Sequence, residues 1–368
     1  MVGALWVHSL AVASGQFEAI RSTLASVTSD RRLQALFIAF GFGAFLEGAA
    51  GFGTPVAITA SMLVALGFEA RPAAVLCLIA NSAPVAFAAA GVPVAVAAGV
   101  SGLDVVGLGR MIGRQVPVLS LAVPFWLVVV LCGWRRTWEV LPALLVAGLL
   151  MAVTQFLIAN FSGPWTAGIL SGIVTVAGLW LFLRVWKPRK EWDFPGATAR
   201  PGRSEPVAPA VALRAWVPYI LMSVMVLAWS IDPVTRLLKH ADIVFPWPAL
   251  PGVRFTLPLL STPGSAIVIS GIISSFLLPN LSFAKAVAAF ARTVATLAKT
   301  ILSVCLILAT AFVMNASGMS GTVGNALAAT GKLFPLFAPL LGWLGVLLTG
   351  SDTSSNAMFG SLQRTTAE

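Results

Sequence analysis

Glu47 is a lone carboxylate among five glycines, Gly41, Gly43, Gly48, Gly51 and Gly53, in the otherwise apolar run GFGAFLEGAAGFGTPVAI at 41–58. An acid at the centre of a membrane helix costs roughly 2.5–3.5 kcal/mol, so it is seldom kept without a task. The task it suits is proton coupling, in which the carboxyl loads on one side of a membrane and unloads on the other. The competing role is structural, a buried acid satisfied by neighbouring donors. The glycines interrupt a helix, and Thr54-Pro55 restarts it, with Thr54 able to cap and Pro55 suited to the first helical position. Free amides near Thr54, Val56 and Ala57 would then face whatever lies beside Glu47, and such helix starts bind small anions. Gly51, Gly53 and Thr54 are therefore substrate-binding candidates, with a close helix crossing as their alternative.

Three further groups can share that chemistry. Asn81 and Ser82 precede Pro84 in a second apolar run, where they either repair a broken backbone or meet a polar substrate group such as a hydroxyl. Ser351-Asp352-Thr353-Ser354-Ser355-Asn356 places six polar residues after an apolar helix. At membrane depth they must line a cavity or cap a helix, and otherwise they lie at the membrane surface. Asp352 is the second proton-coupling candidate. Arg114 offers a bidentate fork for a carboxylate, or anchors a helix end at the headgroups.

The elements that must position these residues are membrane helices. Hydrophobic residues make up 58% of 368 positions and charged residues 10%. Apolar runs of about 17–25 residues between short polar joints fit helices crossing a bilayer. Alternating ten-residue strands of a membrane barrel are not visible. With 33 glycines and 23 prolines, several spans should be bent or discontinuous. The net charge of +10 sits mainly in joints and one linker, which points to membrane orientation rather than to nucleic acid. Cys77, Cys132 and Cys305 have no metal-ligand spacing, and no cofactor is expected.

A short apolar stretch at 1–14 leads to a joint with Arg21, Arg31 and Arg32 and then to a broken span at 35–68. Residues 72–100 form a second irregular span. A half-polar segment, 101–116, precedes spans near 117–134, 139–158 and 163–184. Residues 185–213 read as a polar solvent linker. It separates an N-terminal membrane half, 1–184, from a C-terminal half, 214–368, with a span near 214–231, a loop at 232–261 and spans near 262–280, 293–314 and 333–349. Basic residues place the linker in the cytoplasm, with Arg135 and Arg136 on the same side. Arg110 and Arg114 fall on the opposite side, which means either that 101–116 is not a plain loop or that the span count is off by one.

The strings GFGAFLEGAAGFGTPVAI, LCLIANSAPVAFAAAGVPV (76–94), GRQVP (113–117), STPGSAI (261–267) and LGWLGVLLTGSDTSSNAMFGSLQ (341–363) resemble, in order, the L-lactate permease family. The resemblance implies a plasma-membrane carrier of lactate, glycolate or related 2-hydroxy monocarboxylates, moving them with protons. It also implies a longer protein, with helices beyond both ends of this sequence. The expected fold is an all-α polytopic membrane protein with discontinuous helices, arranged as inverted repeats around a midplane site. The rival functions are an intramembrane enzyme and a truncated, non-transporting remnant. His8 and His240 are the only histidines, and no nucleophile–base motif lies in a span.

Overall fold

The computed structural model describes residues 2–49, 51, 53–194, 208–229, 231–246, 254–257, 259–328 and 331–368. The N-terminal helices are α1 (Val2–Ala13), α2 (Gln16–Ala25), α3 (Arg31–Ala35), α4 (Gly43–Ala49), α5 (Thr54–Ala65), α6 (Ala70–Asn81) and α7 (Ala88–Ser101). There follow α8 (Val105–Cys132), α9 (Trp134–Thr137), α10 (Leu141–Phe161) and α11 (Ala167–Val185). Beyond residue 208 come α12 (Pro209–Trp229), α13 (Asp232–Leu238), α14 (Pro263–Leu277), α15 (Phe283–Ala316), α16 (Met319–Ala328), α17 (Phe334–Thr349) and α18 (Asp352–Ala367). Strands β1 (Ile243–Pro246) and β2 (Arg254–Leu257) pair antiparallel, so the expected loop at 232–261 contains a helix and a hairpin.

Among the described residues, six helices are long and apolar enough to cross a membrane, or up to eight if each of two bent pairs is one span. The chain is an all-α polytopic membrane protein. By compactness it divides into two units, Met1–Ser29 with Gly196–Ala295, and Asp30–Pro195 with Thr296–Glu368.

In the first unit α1, α2, α12 and α14 pack together. The Trp6 indole donates to the Ala286 carbonyl at 2.9 Å, and Trp6 and Leu10 close a core with Leu278 and Ala286. Its interior also holds a hydrogen bond between His8 Nδ1 and the Tyr219 hydroxyl, 3.0 Å long.

The second unit holds the broken helices. The span Arg31–Ala49 runs through α3, a π-helical stretch at Leu36–Phe42 and α4, and it is buried along its whole length. This is a core helix, enclosed by protein. It ends at the glycines, and α5 restarts with Gly53 as its cap at φ 76°. The expected cap, Thr54, is instead the first helical residue, because the left-handed turn at Gly53 swings the chain into the helix one position earlier; the Thr54 side chain lies outside the described residues. The second break bends the helix pair 70–81 and 85–101 by 68°. Ala89, Ala90 and Gly91 are left-handed there, with φ of 46°, 57° and 76°. Helix interiors leave no spare donors for the carbonyls such a break frees. Here Gln155 Nε2 from α10 donates to the Ala83 carbonyl at 3.0 Å, and the Ser120 hydroxyl from α8 donates to Gln155 Oε1 at 2.6 Å. Asn356 Nδ2 in α18 donates to the Pro93 carbonyl at 3.2 Å.

One open alternative about the joints is resolved and one expectation is corrected. Residues 101–116 are not a plain loop, the first of the two alternatives: Asp104 caps α8, which runs unbroken from 105 to 132, so the half-polar segment and the next span are one helix. Residues 185–213 are not wholly a solvated linker. Their first part is clasped to the bundle, while 195–207 lie outside the described residues. Arg32, fully buried, pairs with the equally buried Asp30 at 2.7 Å and with Glu139 at 2.7 Å, and donates to the carbonyls of Arg136 and Lys190 at 2.8 and 2.9 Å. Trp192 N donates to Asp30 at 3.0 Å. Arg31 bonds Asp193 at 2.9 Å and the Leu66 carbonyl, and lies over the rings of Phe68 and Phe194. The joint at 30–32, the turn at 136–139 and the linker's start thus meet at one end of the unit.

Candidate functional site

Both helix breaks open on a cavity of about 450 Å³ within the second unit. Its wall includes Glu47, Gly53, Val56, Leu78, Asn81 and Val85, then Ala88, Ala89 and Pro93 of the second break. Thr349 to Ser354 complete it from the junction of α17 and α18, together with Thr300, Ser303 and Ile307 of α15.

Glu47 is 2% exposed. The Asn81 side chain is its polar neighbour in the wall. Glu47 Oε2 has no hydrogen-bond partner among the described residues. A buried carboxyl that reaches a cavity with one oxygen unpartnered is poised to share a proton or a ligand. Glu47 is held there by a close helix crossing. A Cβ on Gly48 would stand 2.3 Å from the Gly168 carbonyl carbon, and one on Gly172 would stand 2.3 Å from Phe45 N, so the backbones of α4 and α11 touch. Gly48→Ala is expected to cost about 1–3 kcal/mol, because the obstacle is backbone and cannot rotate away. Gly99→Ala in α7, where the added methyl meets open space, should be neutral or slightly stabilising. Thermal unfolding of the detergent-solubilised variants measures the contrast, and equal unfolding temperatures would mean the crossing has room.

Helix starts supply the opposite polarity. The first intrahelical bond of α5 runs from Ala57 N to the Gly53 carbonyl, and among the described residues no acceptor takes the earlier Val56 amide beside the cavity. In α18 the Ser351 side chain accepts from Ser354 N, and Ser355 N bonds the Ser351 carbonyl, so the amides of Asp352 and Thr353 remain. Unspent amides and the positive helix end favour an anion. No Lys or Arg is among the cavity's described wall residues. Two acids, Glu47 and Asp352, are.

Of the residues singled out in the sequence, Glu47, Gly53, Asn81, Ser351, Asp352, Thr353 and Ser354 come together in this wall. Gly51 sits behind it, left-handed, where a Cβ would lie 3.1 Å from that of Ala89. Ser82 follows the last residue of α6 and is not in the wall. Ser355 turns to α17 and donates to the Gly342 carbonyl at 3.1 Å, while Asn356 is committed to Pro93. Arg114 points elsewhere: on the continuous helix α8 its Nε donates to Asn160 Oδ1 at 3.1 Å, near the end of α10. The sequence reading missed Thr300, Ser303 and Thr349. The first two recur with Thr296 at helical spacing on a stretch that is apolar but for Lys299, a pattern visible in the sequence.

A buried, twice-broken helical core around a cavity that mixes apolar side chains with two acids and several hydroxyls, among helices long enough to cross a bilayer, defines a multi-pass membrane protein. The chain matches the L-lactate permease family over residues 1–368. It is 47% identical to the glycolate permease of Escherichia coli (strain K12), the match covering 100% of this chain and 72% of that protein. It is 41% identical to the L-lactate permease of Bacillus subtilis (strain 168), again over 100% of this chain and 72% of the relative, and 42% identical to the L-lactate permease of Escherichia coli (strain K12), over 100% and 71%. No solved structure matches it. The chain belongs to the L-lactate permease family.

Proposed function

We propose that this protein carries L-lactate, glycolate or a related 2-hydroxy monocarboxylate across the cell membrane together with a proton. The observation that carries the reading is the unpartnered Glu47 Oε2 in a cavity that also holds two helix starts and no basic side chain among its described wall residues. A carboxylate substrate is drawn to the amides of α5 and α18 but repelled by a charged Glu47. Protonation removes that repulsion and turns Oε2 into a donor, so proton and anion enter as a neutral pair. Asp352, the first residue of α18, is the second acid in the same field. On this reading the broken helices belong to two membrane halves, 1–184 and 214–368, joined by 185–213 and related as inverted repeats, with the site at their midplane.

The test is uptake of radiolabelled L-lactate and glycolate by proteoliposomes of the purified protein. Accumulation should rise as the external solution is acidified against a neutral interior. Uptake that ignores the pH gradient and requires sodium would sink proton coupling; no uptake of either acid would sink the transport reading.

A further inference from the structure

We infer that α15 reads the substrate's 2-hydroxyl with Thr300 and Ser303, and limits the size of its C2 substituent with Ile307. The inference rests on the monocarboxylate reading above and adds which residues select among such acids. A 2-hydroxy acid presents three features: a carboxylate, a hydroxyl and whatever else C2 bears. The helix starts and Glu47 provide for the first. Neither Asn81 nor Ser82 is well placed for the second, since the Asn81 side chain neighbours Glu47 and Ser82 is not part of the wall.

Thr300, Ser303 and Ile307 stand at i, i+3 and i+7 of one long helix, hence on one face, and all three reach the cavity. Ser303 Oγ donates to the Lys299 carbonyl at 2.9 Å. Its proton is therefore spent within the helix, and its lone pairs are left to accept from a ligand hydroxyl. The Thr300 hydroxyl, which can donate or accept, reaches the cavity beside it. One turn on, Ile307 replaces the hydroxyls with a branched apolar wall, and Leu78 of α6 adds a second apolar side chain. A carboxylate site alone would accept propionate as readily as lactate. Hydroxyls on the facing helix make the 2-hydroxyl a requirement, because a ligand lacking it leaves polar groups unpaired.

Proteoliposome uptake of paired acids tests this, using L-lactate against propionate, glycolate against acetate, and 2-hydroxybutyrate as the larger homologue. The unaltered protein should favour each hydroxy acid over its deoxy partner. Thr300→Val combined with Ser303→Ala should lower the lactate-to-propionate ratio about tenfold, through loss of lactate uptake with propionate uptake maintained. Ser303→Thr should preserve the ratio, which excludes general damage to the helix. Ile307→Ala should raise 2-hydroxybutyrate uptake severalfold relative to lactate, and Ile307→Trp should spare glycolate at lactate's expense. Ratios unchanged in the double variant, or equal losses for both members of each pair, overturn the inference while leaving the transport reading intact. Failure of the unaltered protein to move any of these acids overturns both.

Discussion

Glu47→Gln reduces proton-driven accumulation of lactate or glycolate to the level of protein-free vesicles, while exchange of labelled for unlabelled substrate across the same vesicles persists. Glutamine keeps the shape of the side chain beside Asn81, so the wall of the cavity is preserved. What it removes is the titration. Its amide nitrogen donates permanently from the end of the side chain, where protonated Glu47 would donate only when loaded. The variant therefore imitates the proton-bound carrier, which can pass substrate in either direction but cannot release the proton that drives the cycle. Accumulation matching that of the unaltered protein would make Glu47 a structural carboxyl, and the coupling acid would have to be sought at Asp352. Insertion and folding are checked by unfolding temperature, which should change little because the buried, unpartnered oxygen is exchanged for a neutral group.

Much of this site was legible because its signals are local. Glycines around an acid and Thr-Pro after them announce a broken helix without reference to any other segment, and Glu47, Gly53 and the residues from Ser351 to Ser354 all meet in the cavity as a result. The parts that were not legible depend on how an unbroken helix is rotated. Arg114 had the right chemistry, but the continuity of α8 turns it to Asn160. Ser355 and Asn356 sit in the same polar run as Ser354, yet a helix turns successive residues by about 100°, which carries them to α17 and to Pro93. The hydroxyls of α15 lay on a visible stripe, but nothing local says which helix that stripe faces. Arg31 and Arg32 illustrate the same limit at the membrane's edge. Their charge is read correctly as marking a joint, but their burial depends on partners more than 100 residues away, at Glu139 and at 190–193.

That burial makes Arg32→Met the most destabilising substitution expected in the clasp, at about 3–5 kcal/mol. Arg32 and Asp30 each have fully buried side chains. Removing the guanidinium leaves the Asp30 carboxylate with backbone donors, among them Arg32 N at 2.9 Å and Trp192 N at 3.0 Å, but without the cation that offsets its desolvation. The Lys190 carbonyl loses its donor in the same step, so the start of the linker is released along with the helix entrance. Two measurements should move together: the unfolding temperature in detergent falls sharply, and trypsin gains access to the bond after Lys190. Glu139→Gln provides the contrast. Its carboxylate is 47% exposed, so losing that arm of the pair should cost less than about 1 kcal/mol and leave the linker protected. Arg32→Met combined with Asp30→Asn should recover part of the loss, because the uncompensated charge disappears while asparagine can still cap α3. If Arg32→Met is no worse than Glu139→Gln, water reaches this pair and the clasp does not hold the helix that carries Glu47.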